Sequence, residues 1–539
     1  MRQPLVGSFL AVLLISGAGG SAPAAEDSCS SLAQVALPRT KITLAQTVQA
    51  GTFTPPPTSL PQYGPPPNFQ DVPTFCRVTA DLTPTADSDI KVEVWMPTSG
   101  WNHKYRGWGN GGFAGSIDYP GLASGVKSGY ASAATDTGHT GSPIDAAWAL
   151  GHPEKVADFG YRGIHEMTLT AKAIIKAYYE GSPQRSYFAS CSDGGREALM
   201  EAQRFPTDYD GILAGAPANY WTHLLTAAMS DTVTLTLDPA SYIPADKIPA
   251  LSAAVLKACD AQDGLKDGLL NDPRQCHFDP ATLLCQGADA PTCLTAPQVT
   301  ALKKIYAGPH NAAGQPVFPG YPPGGEEGPG GWGLWITGPA PNKSLIAFFG
   351  TGYFSNMVYE KADWDPKTFQ LDAALKLAES KTVQALNATN PDLKPFMARG
   401  GKLILYHGWS DAAIPAPNSI NYYESVVKTI GQGNTDSFLR LYMVPGMQHC
   451  AGGPGASSFG EDNGPVPNDP EHNIFNALED WVEKGAAPSR IVATKFVEGA
   501  NPAKVQMTRP LCPYPQVAKY KGTGDPDQAS SFVCATETR

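Results

Sequence analysis

The amino-acid sequence predicts an α/β protein whose mostly parallel sheet is covered by helices on both faces and whose chain is interrupted by a large insertion. Strand patterns alternate with helical patterns over residues 90–214, which is typical of such a sheet. The alternation is lost between residues 219 and 399 and returns from residue 401. We therefore expect one α/β domain made of residues 26–218 and 400–539, with residues 219–399 as an inserted domain.

Composition excludes several classes of protein. The chain has 539 residues, of which 42% are hydrophobic and 17% charged, so it can bury a large core and is not disordered as a whole. Its 55 glycines and 50 prolines follow no Gly-x-y period and indicate turns and long loops rather than collagen. The net charge of −11 provides no general attraction for nucleic acid or an anionic membrane, and we expect neither as a partner.

The N-terminus has the pattern of a secretory signal peptide over residues 1–25. Arg2 supplies a basic start, an apolar run covers residues 5–17, and small residues suited to cleavage follow. The apolar run is too short to cross a bilayer, and no later stretch reaches about 18 apolar residues. We therefore expect a secreted or periplasmic protein that is cleaved near Ala24 or Ala25.

The ten cysteines predict structural disulfides, because their number is even and the chain is expected to be exported. Zinc binding is the competing interpretation, but the sequence has neither a Cys-x-x-Cys motif nor a Cys/His cluster. Short intervening loops make three pairings economical: Cys259 with Cys276, Cys285 with Cys293, and Cys512 with Cys534.

The predicted elements follow in order along the chain. Residues 26–75 are rich in Pro and Thr, so we expect an extended arm on the protein surface. Alternating and short apolar runs predict strands, and apolar residues at helical spacing predict helices. The predicted strands are 90–97, 105–108, 185–190, 209–214, 402–406 and 438–444, and the predicted helices between them are 163–179 and 195–204.

Ser192 lies in the turn between a predicted strand and a predicted helix. Ser190 and Gly194 complete the small-x-Ser-x-Gly pattern of a nucleophile elbow, in which strand and helix approach closely and the turn exposes the hydroxyl. The first amides of the helix would point toward a group bonded to that hydroxyl, so the Asp193 amide is one expected oxyanion donor. A capping serine at an ordinary helix N-terminus would give the same local pattern.

Two later residues complete the pattern of an α/β-hydrolase fold, in which the nucleophile, the acid and the histidine follow in this chain order. Asp411 and His449 each follow a predicted strand, beyond the end where open sheets carry their sites. His449 would take the proton of Ser192, and Asp411 would orient the imidazole. His407 is the rival base, but it precedes the acid and is expected on the same loop.

Two cysteines adjoin these residues. Cys191 precedes Ser192, and Cys450 follows His449. Because bridged cysteines have Cα atoms about 5.5–6 Å apart, a bond between them would bring the nucleophile within hydrogen-bonding range of the base. The alternative is that both cysteines are free or pair elsewhere.

The glycine-rich loop after the strand at 105–108 is the expected source of a second oxyanion donor. Gly109, Gly111 and Gly112 allow its backbone to approach a substrate closely. By analogy with the glycine-rich loop of esterases, we expect the donor to be the amide of Gly112. A plain turn is the alternative.

A further candidate site lies in the insertion, where Asp260, Asp263 and Asp267 crowd into the loop between Cys259 and Cys276. Calcium takes six to eight oxygen ligands, including backbone carbonyls, and would relieve the repulsion of these carboxylates. The spacing is not that of an EF-hand, and a solvated acidic turn is the alternative, although the flanking cysteines favour a metal loop. The expected ligands are the side chains of Asp260, Asp263 and Asp267 and the carbonyls of Leu265 and Leu269.

These motifs together resemble the tannase and feruloyl esterase family, which also includes a bacterial hydrolase of mono(2-hydroxyethyl) terephthalate. The resemblance covers nearly all of the chain after residue 25. Besides the loop between Cys259 and Cys276, it rests on CSDGGR at 191–196, YDGILAGAP at 209–217, LYHGWSDAA at 405–413, VPGMQHC at 444–450 and RPLCPYP at 509–515.

The resemblance implies an α/β-hydrolase domain with a large inserted lid and a Ser-His-Asp triad at Ser192, His449 and Asp411. It implies a disulfide between the neighbours of the serine and the histidine, and a structural Ca²⁺ in the lid on the ligands given above. It also implies the pairs Cys29–Cys76, Cys259–Cys276, Cys285–Cys293 and Cys512–Cys534.

The expected substrates are esters of aromatic acids, and feruloyl or other hydroxycinnamoyl esters are our first expectation. Galloyl esters and a terephthalate mono-ester are the alternatives within the family. The lid would supply the pocket for the aromatic ring, and residues 330–335 are a candidate lining segment. This segment has no Arg or Lys to bind a free carboxylate, which disfavours the terephthalate ester. A non-catalytic binding protein on the same fold is a further alternative, which the complete triad disfavours.

Overall fold

The computed structural model describes Met1 and residues 28–56, 68–460 and 465–536. The expected signal peptide after Met1 therefore lies outside the described residues. The strands are β1 (Thr40–Val48), β2 (Phe75–Leu82), β3 (Ile90–Pro97), β4 (Lys104–Trp108), β5 (Ala131–Thr135), β6 (Arg185–Cys191), β7 (Gly211–Gly215), β8 (Lys402–Gly408), β9 (Leu439–Val444), β10 (Ile491–Phe496), β11 (Val505–Leu511), β12 (Gln516–Tyr520) and β13 (Phe532–Thr536). The α-helices are α1 (Tyr119–Lys127), α2 (Pro153–Ala157), α3 (Gly163–Tyr179), α4 (Asp193–Arg204), α5 (Trp221–Thr236), α6 (Ile248–Cys259), α7 (Ala296–Ala307), α8 (Trp332–Trp335), α9 (Leu345–Tyr353), α10 (Leu371–Leu386), α11 (Lys394–Ala398), α12 (Pro417–Ile430), α13 (Gln432–Phe438) and α14 (Ile474–Lys484).

A nine-stranded sheet in the order β1-β2-β3-β5-β4-β6-β7-β8-β9 forms the centre of the fold. The pairs from β5 to β9 are parallel, whereas β1, β2, β3 and β5 pair antiparallel. Because β6, β8 and β9 run in the same direction, the loops that follow them emerge at one edge of the sheet. The predicted α/β fold with a mostly parallel sheet is therefore confirmed.

Helices cover both faces of this sheet, as the alternation of strands and helices predicts. Side chains of α3, α4 and α12 pack with Phe188 of β6 in one core, whereas α14 packs with Tyr187 and Ala189 of the same strand in another. Successive side chains of a strand point to opposite faces, so each neighbour in β6 enters a different core. Both faces of the central strands are buried, and this explains their nearly continuous apolar sequences.

The prediction of an extended surface arm over residues 26–75 is wrong for part of that segment. Thr40–Val48 forms β1, which pairs with Phe75–Leu82 of β2 along its whole length. Most residues of β1 are only partly buried because it is an edge strand. Its apolar signal is therefore weak beside the many Thr and Pro residues of this part of the chain. Residues 57–67, which hold the second prolyl run, lie outside the described residues.

Three predicted boundaries also need correction. The helix expected from Gly195 begins at Asp193, directly after Ser192, and the strand expected over 209–214 covers Gly211–Gly215. β8 continues through Gly408, so His407 lies within the strand rather than on the following loop. Helix α4 begins early because it continues directly from the sharp turn at Ser192.

The chain between β7 and β8 forms the inserted part, which contains the seven helices α5–α11. Between these two adjacent strands it contributes no strand to the described sheets. Its apolar residues enter two clusters, one with Trp221, Phe354 and Leu386, which it shares with Phe113 and Phe159, and one with Leu302, Trp332 and Ile346. Among the helices of the described residues, none combines the length and apolar character that crossing a membrane requires.

All ten cysteines are paired, and every expected pairing is present. Three bridges close short loops, one joins the N-terminal segment to β2, and one joins β6 to the loop after β9. The disulfides are Cys29–Cys76, Cys191–Cys450, Cys259–Cys276, Cys285–Cys293 and Cys512–Cys534.

Candidate active site

Ser192 lies at the sharp turn between β6 and α4. Its φ of 66° and ψ of −122° place it in a backbone conformation that residues other than glycine rarely adopt. A Cβ atom on Gly194 would lie 1.9 Å from the hydroxyl oxygen of Ser190, and one on Gly195 would lie 2.3 Å from the carbonyl of Gly215. The strand and helix therefore approach so closely that both glycines are required, and the serine side chain projects from the turn.

The structure brings Ser192, His449 and Asp411 together. The Ser192 hydroxyl lies 2.8 Å from Nε2 of His449, and Nδ1 of the same ring lies 2.8 Å from Oδ2 of Asp411. The carboxylate follows β8 and the histidine follows β9, so adjacent parallel strands place them side by side. If Nδ1 donates to the carboxylate, Nε2 is free to accept the serine proton.

Asp411 is held as a carboxylate by four hydrogen-bond donors. Oδ1 accepts the amides of Ala413 and Ile414 at 2.8 and 2.9 Å. Oδ2 accepts from His449 and from a second histidine, His407, at 3.1 Å. Burial alone would raise the pKa of Asp411, but the two histidines outweigh burial and lower it below its usual range.

The disulfide between Cys191 and Cys450 joins the two loops that carry the serine and the histidine. The Cα atoms of the two cysteines are 5.9 Å apart, and each cysteine adjoins one residue of the Ser192–His449 pair. The cysteines are 259 residues apart in sequence, so the bridge strongly reduces the conformational entropy of the unfolded chain and restrains the two loops relative to each other. It thus acts directly on the distance between hydroxyl and imidazole.

Asn110 fixes the glycine-rich loop after β4 against helix α4. The Asn110 amide donates to Glu197 Oε2 at 2.8 Å, and its carbonyl accepts the amide of Gly194 at 2.7 Å. Gly112 has a φ of +60°, and a Cβ atom there would lie 2.2 Å from the carbonyl of Pro143. In the described part of the chain, neither Gly112 nor Asp193 uses its amide in a backbone hydrogen bond.

Aromatic side chains of the inserted part form a wall beside the histidine. The ring of Trp335 packs edge-on against His449, with centroids 5.0 Å apart and planes at 73°. Phe349 lies nearly parallel to Trp335 at 6.1 Å and contacts Phe113 of the glycine-rich loop at 5.3 Å. The predicted lining segment 330–335 therefore reaches the candidate site and offers an apolar, ring-shaped surface there.

The aspartate-rich loop of the insertion has oxygen donors that suit a hard cation. Asp260 Oδ1 accepts the amides of Asp267 and Gly268, and Asp263 accepts the amide of Leu265. Burial raises the pKa of Asp263 to about 6, and the neighbouring aspartates add to this effect, so the loop concentrates negative charge. Carboxylate and carbonyl oxygens of this kind fit Ca²⁺ chemistry.

Two further contacts constrain this loop. Asp267 Oδ2 accepts a hydrogen bond from the Arg509 guanidinium at 2.8 Å, which compensates part of the negative charge. The three aspartates are not among the groups of described residues whose potential ligand atoms all lie within 4.8 Å of one another. The donor chemistry therefore fits calcium, and the carboxylates would have to draw closer around an ion.

Sequence reasoning missed two residues of this site. His407 entered only as a rival to His449, yet it contacts the same carboxylate and the hydroxyl of Ser419. Asn110, which links the glycine-rich loop to α4, was not singled out at all. A histidine four residues before a candidate acid at a strand end is a usable signal for the first. The second depends on contacts between segments far apart in sequence.

The sharp turn at Ser192 between β6 and α4, the order of the strands and the helical insertion between β7 and β8 define an α/β-hydrolase fold. A family model described as tannase and feruloyl esterase matches residues 76–535, and the chain belongs to this family of carboxylic ester hydrolases. The chain is therefore an esterase.

Known proteins resemble this chain over most of its length. It is 41% identical to an uncharacterized esterase of Xanthomonas campestris pv. campestris, over 98% of this chain and 95% of the relative. It is 34% identical to the mono(2-hydroxyethyl) terephthalate hydrolase of Piscinibacter sakaiensis, over 86% and 85% of the two chains. The crystal structure of feruloyl esterase B from Aspergillus oryzae superposes with a TM-score of 0.85 at 28% identity, covering 94% of this chain and 99% of that one.

Proposed function

We propose that this esterase is a secreted or periplasmic serine carboxylesterase that hydrolyses feruloyl and other hydroxycinnamoyl esters. The observation that carries the proposal is the unbroken series of hydrogen bonds from Asp411 through His449 to the Ser192 hydroxyl, each 2.8 Å long. This arrangement supports the roles of nucleophile for Ser192, general base for His449 and orienting carboxylate for Asp411.

The reaction would proceed through an acyl-enzyme. His449 takes the proton of Ser192 while the oxygen attacks the ester carbonyl, and it then donates that proton to the leaving alcohol. Water, deprotonated by the same imidazole, releases the aromatic acid and restores the serine. Asp411 keeps the hydrogen on Nδ1 and stabilises the imidazolium that forms in both steps.

The amides of Gly112 and Asp193 are the proposed oxyanion donors. Both lie beside the nucleophile turn, one at the start of α4 and one on the loop that Asn110 fixes to that helix. Neither amide is engaged in a backbone hydrogen bond within the described residues, so both can donate to a developing oxyanion. Loss of one such donor typically lowers turnover by about 10²–10³-fold.

The preference for an aromatic acid is supported by the surface formed by Trp335, Phe349 and Phe113. Flat rings packed beside the base would bind a planar acyl group and place its carbonyl near the serine. The name of the structural relative, feruloyl esterase B, supports the hydroxycinnamoyl acid. One relative is named for a terephthalate mono-ester, but residues 330–335 contain no cation for its free carboxylate.

Replacement of the nucleophile tests the proposal directly. Ser192→Ala should lower kcat for methyl ferulate by about 10⁶-fold and abolish labelling by a fluorophosphonate probe, with a nearly unchanged melting curve. Ser380→Ala, on the exposed part of α10, is the matched control and should keep full activity. Retained turnover in Ser192→Ala would reject the catalytic assignment.

A substrate panel decides the acyl preference. Methyl ferulate and methyl caffeate should give a higher kcat/KM than methyl gallate and the terephthalate mono-ester. A higher kcat/KM for the gallate would instead identify a tannase, and one for the terephthalate ester would require a cation elsewhere in the pocket.

A structural calcium ion in the inserted part is also proposed. The carboxylates of Asp260, Asp263 and Asp267 and the carbonyls of Leu265 and Leu269 would hold it. When bound, the ion would neutralise crowded carboxylates and cross-link the loop, and it would take no part in the chemical step.

Export is proposed from the signal-peptide pattern at residues 1–25 together with the five disulfides. Disulfides persist in oxidising compartments and are rare in the cytosol of mesophiles. The mature chain would then begin near Ala24 or Ala25, which sequencing of the N-terminus of the exported protein would check.

A further inference from the structure

We propose that His407 is a positioning residue for Asp411, a role that rests on the catalytic triad proposed above. His407 lies in β8 and is fully buried, with an exposed fraction of 0%. Its Nε2 lies 3.1 Å from Oδ2 of Asp411, the same oxygen that lies 2.8 Å from Nδ1 of His449. One carboxylate oxygen therefore accepts hydrogen bonds from two imidazole rings.

The partners of the His407 ring determine where its hydrogen lies. Nε2 faces two groups that only accept, Oδ2 of Asp411 and the backbone carbonyl of Ile414 at 3.0 Å. Nδ1 lies 2.8 Å from the hydroxyl of Ser419 on α12, which can donate to it. Nε2 therefore carries a hydrogen in either charge state of the ring, and the buried hydroxyl of Ser419 anchors the opposite side.

With His407 in place, the Asp411 carboxylate has no unused acceptor position. The amides of Ala413 and Ile414 occupy Oδ1, and the two histidines occupy Oδ2. A carboxylate has about four lone-pair sites, so its position and the direction of Oδ2 toward His449 are both determined. The His407 N–H also withdraws charge from Oδ2, which makes this oxygen a weaker partner for an imidazolium at His449.

Other titratable groups face this cluster from neighbouring elements. The hydroxyl of Tyr321, in the inserted part, donates to the carbonyl of Ala413 in the loop after β8. Burial raises the pKa of Tyr321, and the carboxylates of Asp231 on α5 and of Asp411 raise it further. Beside the nucleophile, Asp193 is paired with Arg196 at 2.6 Å. Apart from Asp411, none of these side chains is a hydrogen-bond partner of the His407 ring. A substitution at His407 therefore leaves the hydrogen bonds of Tyr321 and Asp193 in place.

The experiment compares His407→Leu with His407→Gln through the pH dependence of kcat/KM for 4-nitrophenyl acetate, a substrate that does not depend on the feruloyl preference. In His407→Leu, Asp411 stays attached to its two backbone amides, but Oδ2 loses one donor and stabilises the His449 imidazolium more strongly. The acid limb should therefore move to higher pH by about one unit. The plateau should fall about 10- to 100-fold because the carboxylate is less well directed.

The glutamine variant separates this role from simple packing. Its terminal amide reaches the place of Nε2 and can donate to Asp411, so it should restore most of the plateau and the wild-type acid limb. His165→Leu is the matched control, because it removes a histidine that contacts Asp208 at 2.6 Å and Phe205 rather than the site. It should lower the melting temperature without moving the acid limb.

The variants Ser192→Ala and Ser419→Ala distinguish a failure of the His407 role from a failure of the triad. An unchanged profile in His407→Leu, or an acid limb that moves to lower pH, would overturn the positioning role while leaving the triad intact, provided that Ser192→Ala is inactive. An active Ser192→Ala would overturn the triad itself. If His407→Leu does not fold, Ser419→Ala takes its place. It should shift the limb in the same direction to a smaller extent, and an unchanged profile there would also overturn the role.

Discussion

Ser192 shows how the surroundings of one residue maintain an unfavourable conformation. A non-glycine residue in a sparsely populated backbone region costs about 1–3 kcal/mol. Here the Ser192 amide donates to the carbonyl of Gly215 at 3.0 Å, and its own carbonyl accepts the amides of Arg196 and Ala218 at 3.1 and 3.0 Å. These bonds to the start of α4 and to the segment after β7 hold the turn, so the hydroxyl remains directed toward His449.

Glu201 on α4 gives a prediction of pH-dependent stability. It has an exposed fraction of 1%, and burial together with the neighbouring Asp208 carboxylate raises the pKa of Glu201 well above its ordinary value of 4.5. The folded protein therefore keeps this proton at pH values where the unfolded chain has lost it. Stability contributed by this site must then fall as the pH rises above about 4.5, the ordinary range of glutamate.

Glu201→Gln removes this effect because an amide does not ionise. We expect the variant to match the wild type near pH 4.5 and to melt about 2 °C higher at pH 8. Thermal unfolding at both pH values measures the difference. Glu498→Gln, at an exposed position, should show no such pH-dependent gain. A Glu201→Gln variant with the same pH dependence as the wild type would show that the buried carboxyl is ionised at neutral pH.

Among secondary-structure elements, the end of β6 and the loop after β9 depend on each other through the Cys191–Cys450 disulfide. Removal of both cysteines as Cys191→Ala with Cys450→Ala should lower kcat/KM by about 10-fold or more, since the Ser192–His449 distance then has no covalent restraint. Ester hydrolysis measured below the melting temperature checks this expectation.

The bridge between Cys285 and Cys293 provides the matched control. It closes a loop with a sequence separation of only 8, within the insertion. Its removal should leave kcat/KM nearly unchanged at moderate temperature. Equal kinetics in both double variants would mean that the first bridge does not position the site.

For the whole molecule, the aspartate-rich loop connects the insertion to the C-terminal strands. Asp267 pairs with Arg509 of β11, and the Asn271 side chain donates to the carbonyl of Ala518 in β12 at 3.3 Å. Leu265 packs against the small apolar cluster of these strands. A cation in this loop would therefore stabilise contacts between parts of the chain that are far apart in sequence.

Metal removal tests this connection. Exhaustive chelation should lower the melting temperature by about 5 °C and reduce activity much less at moderate temperature, because the loop does not touch the reacting groups. Added Ca²⁺ should restore the melting temperature. Asp263→Asn should reproduce the loss, whereas Asp363→Asn at an exposed position should not. An unchanged melting temperature with no metal detected in the untreated protein would reject the site.

Elements could be predicted from the sequence where neighbouring residues in the chain determine their structure. Of the central strands, β3, β4 and β6–β9 could be predicted because their buried faces carry mostly apolar residues, whereas β5 was missed because Ala131–Thr135 is short and has only small side chains. β1 could not, because an edge strand with one exposed face has a mixed sequence. In the same way, the small residues around Ser192 indicated a tight turn, but the start of α4 depended on how that turn packs against Gly215.

The amino-acid pattern alone was enough to predict the α/β class, the chain order of Ser192, Asp411 and His449, and the cysteines that adjoin two of them. These features are encoded by neighbouring residues and by the direction of parallel strands. The folded molecule was needed to find that His407 and His449 share the Asp411 carboxylate and that Trp335 packs against the imidazole of His449. Such contacts depend on distances between side chains that strand register and helix packing bring together, so a local pattern can point to a candidate such as His407 but cannot establish its contact.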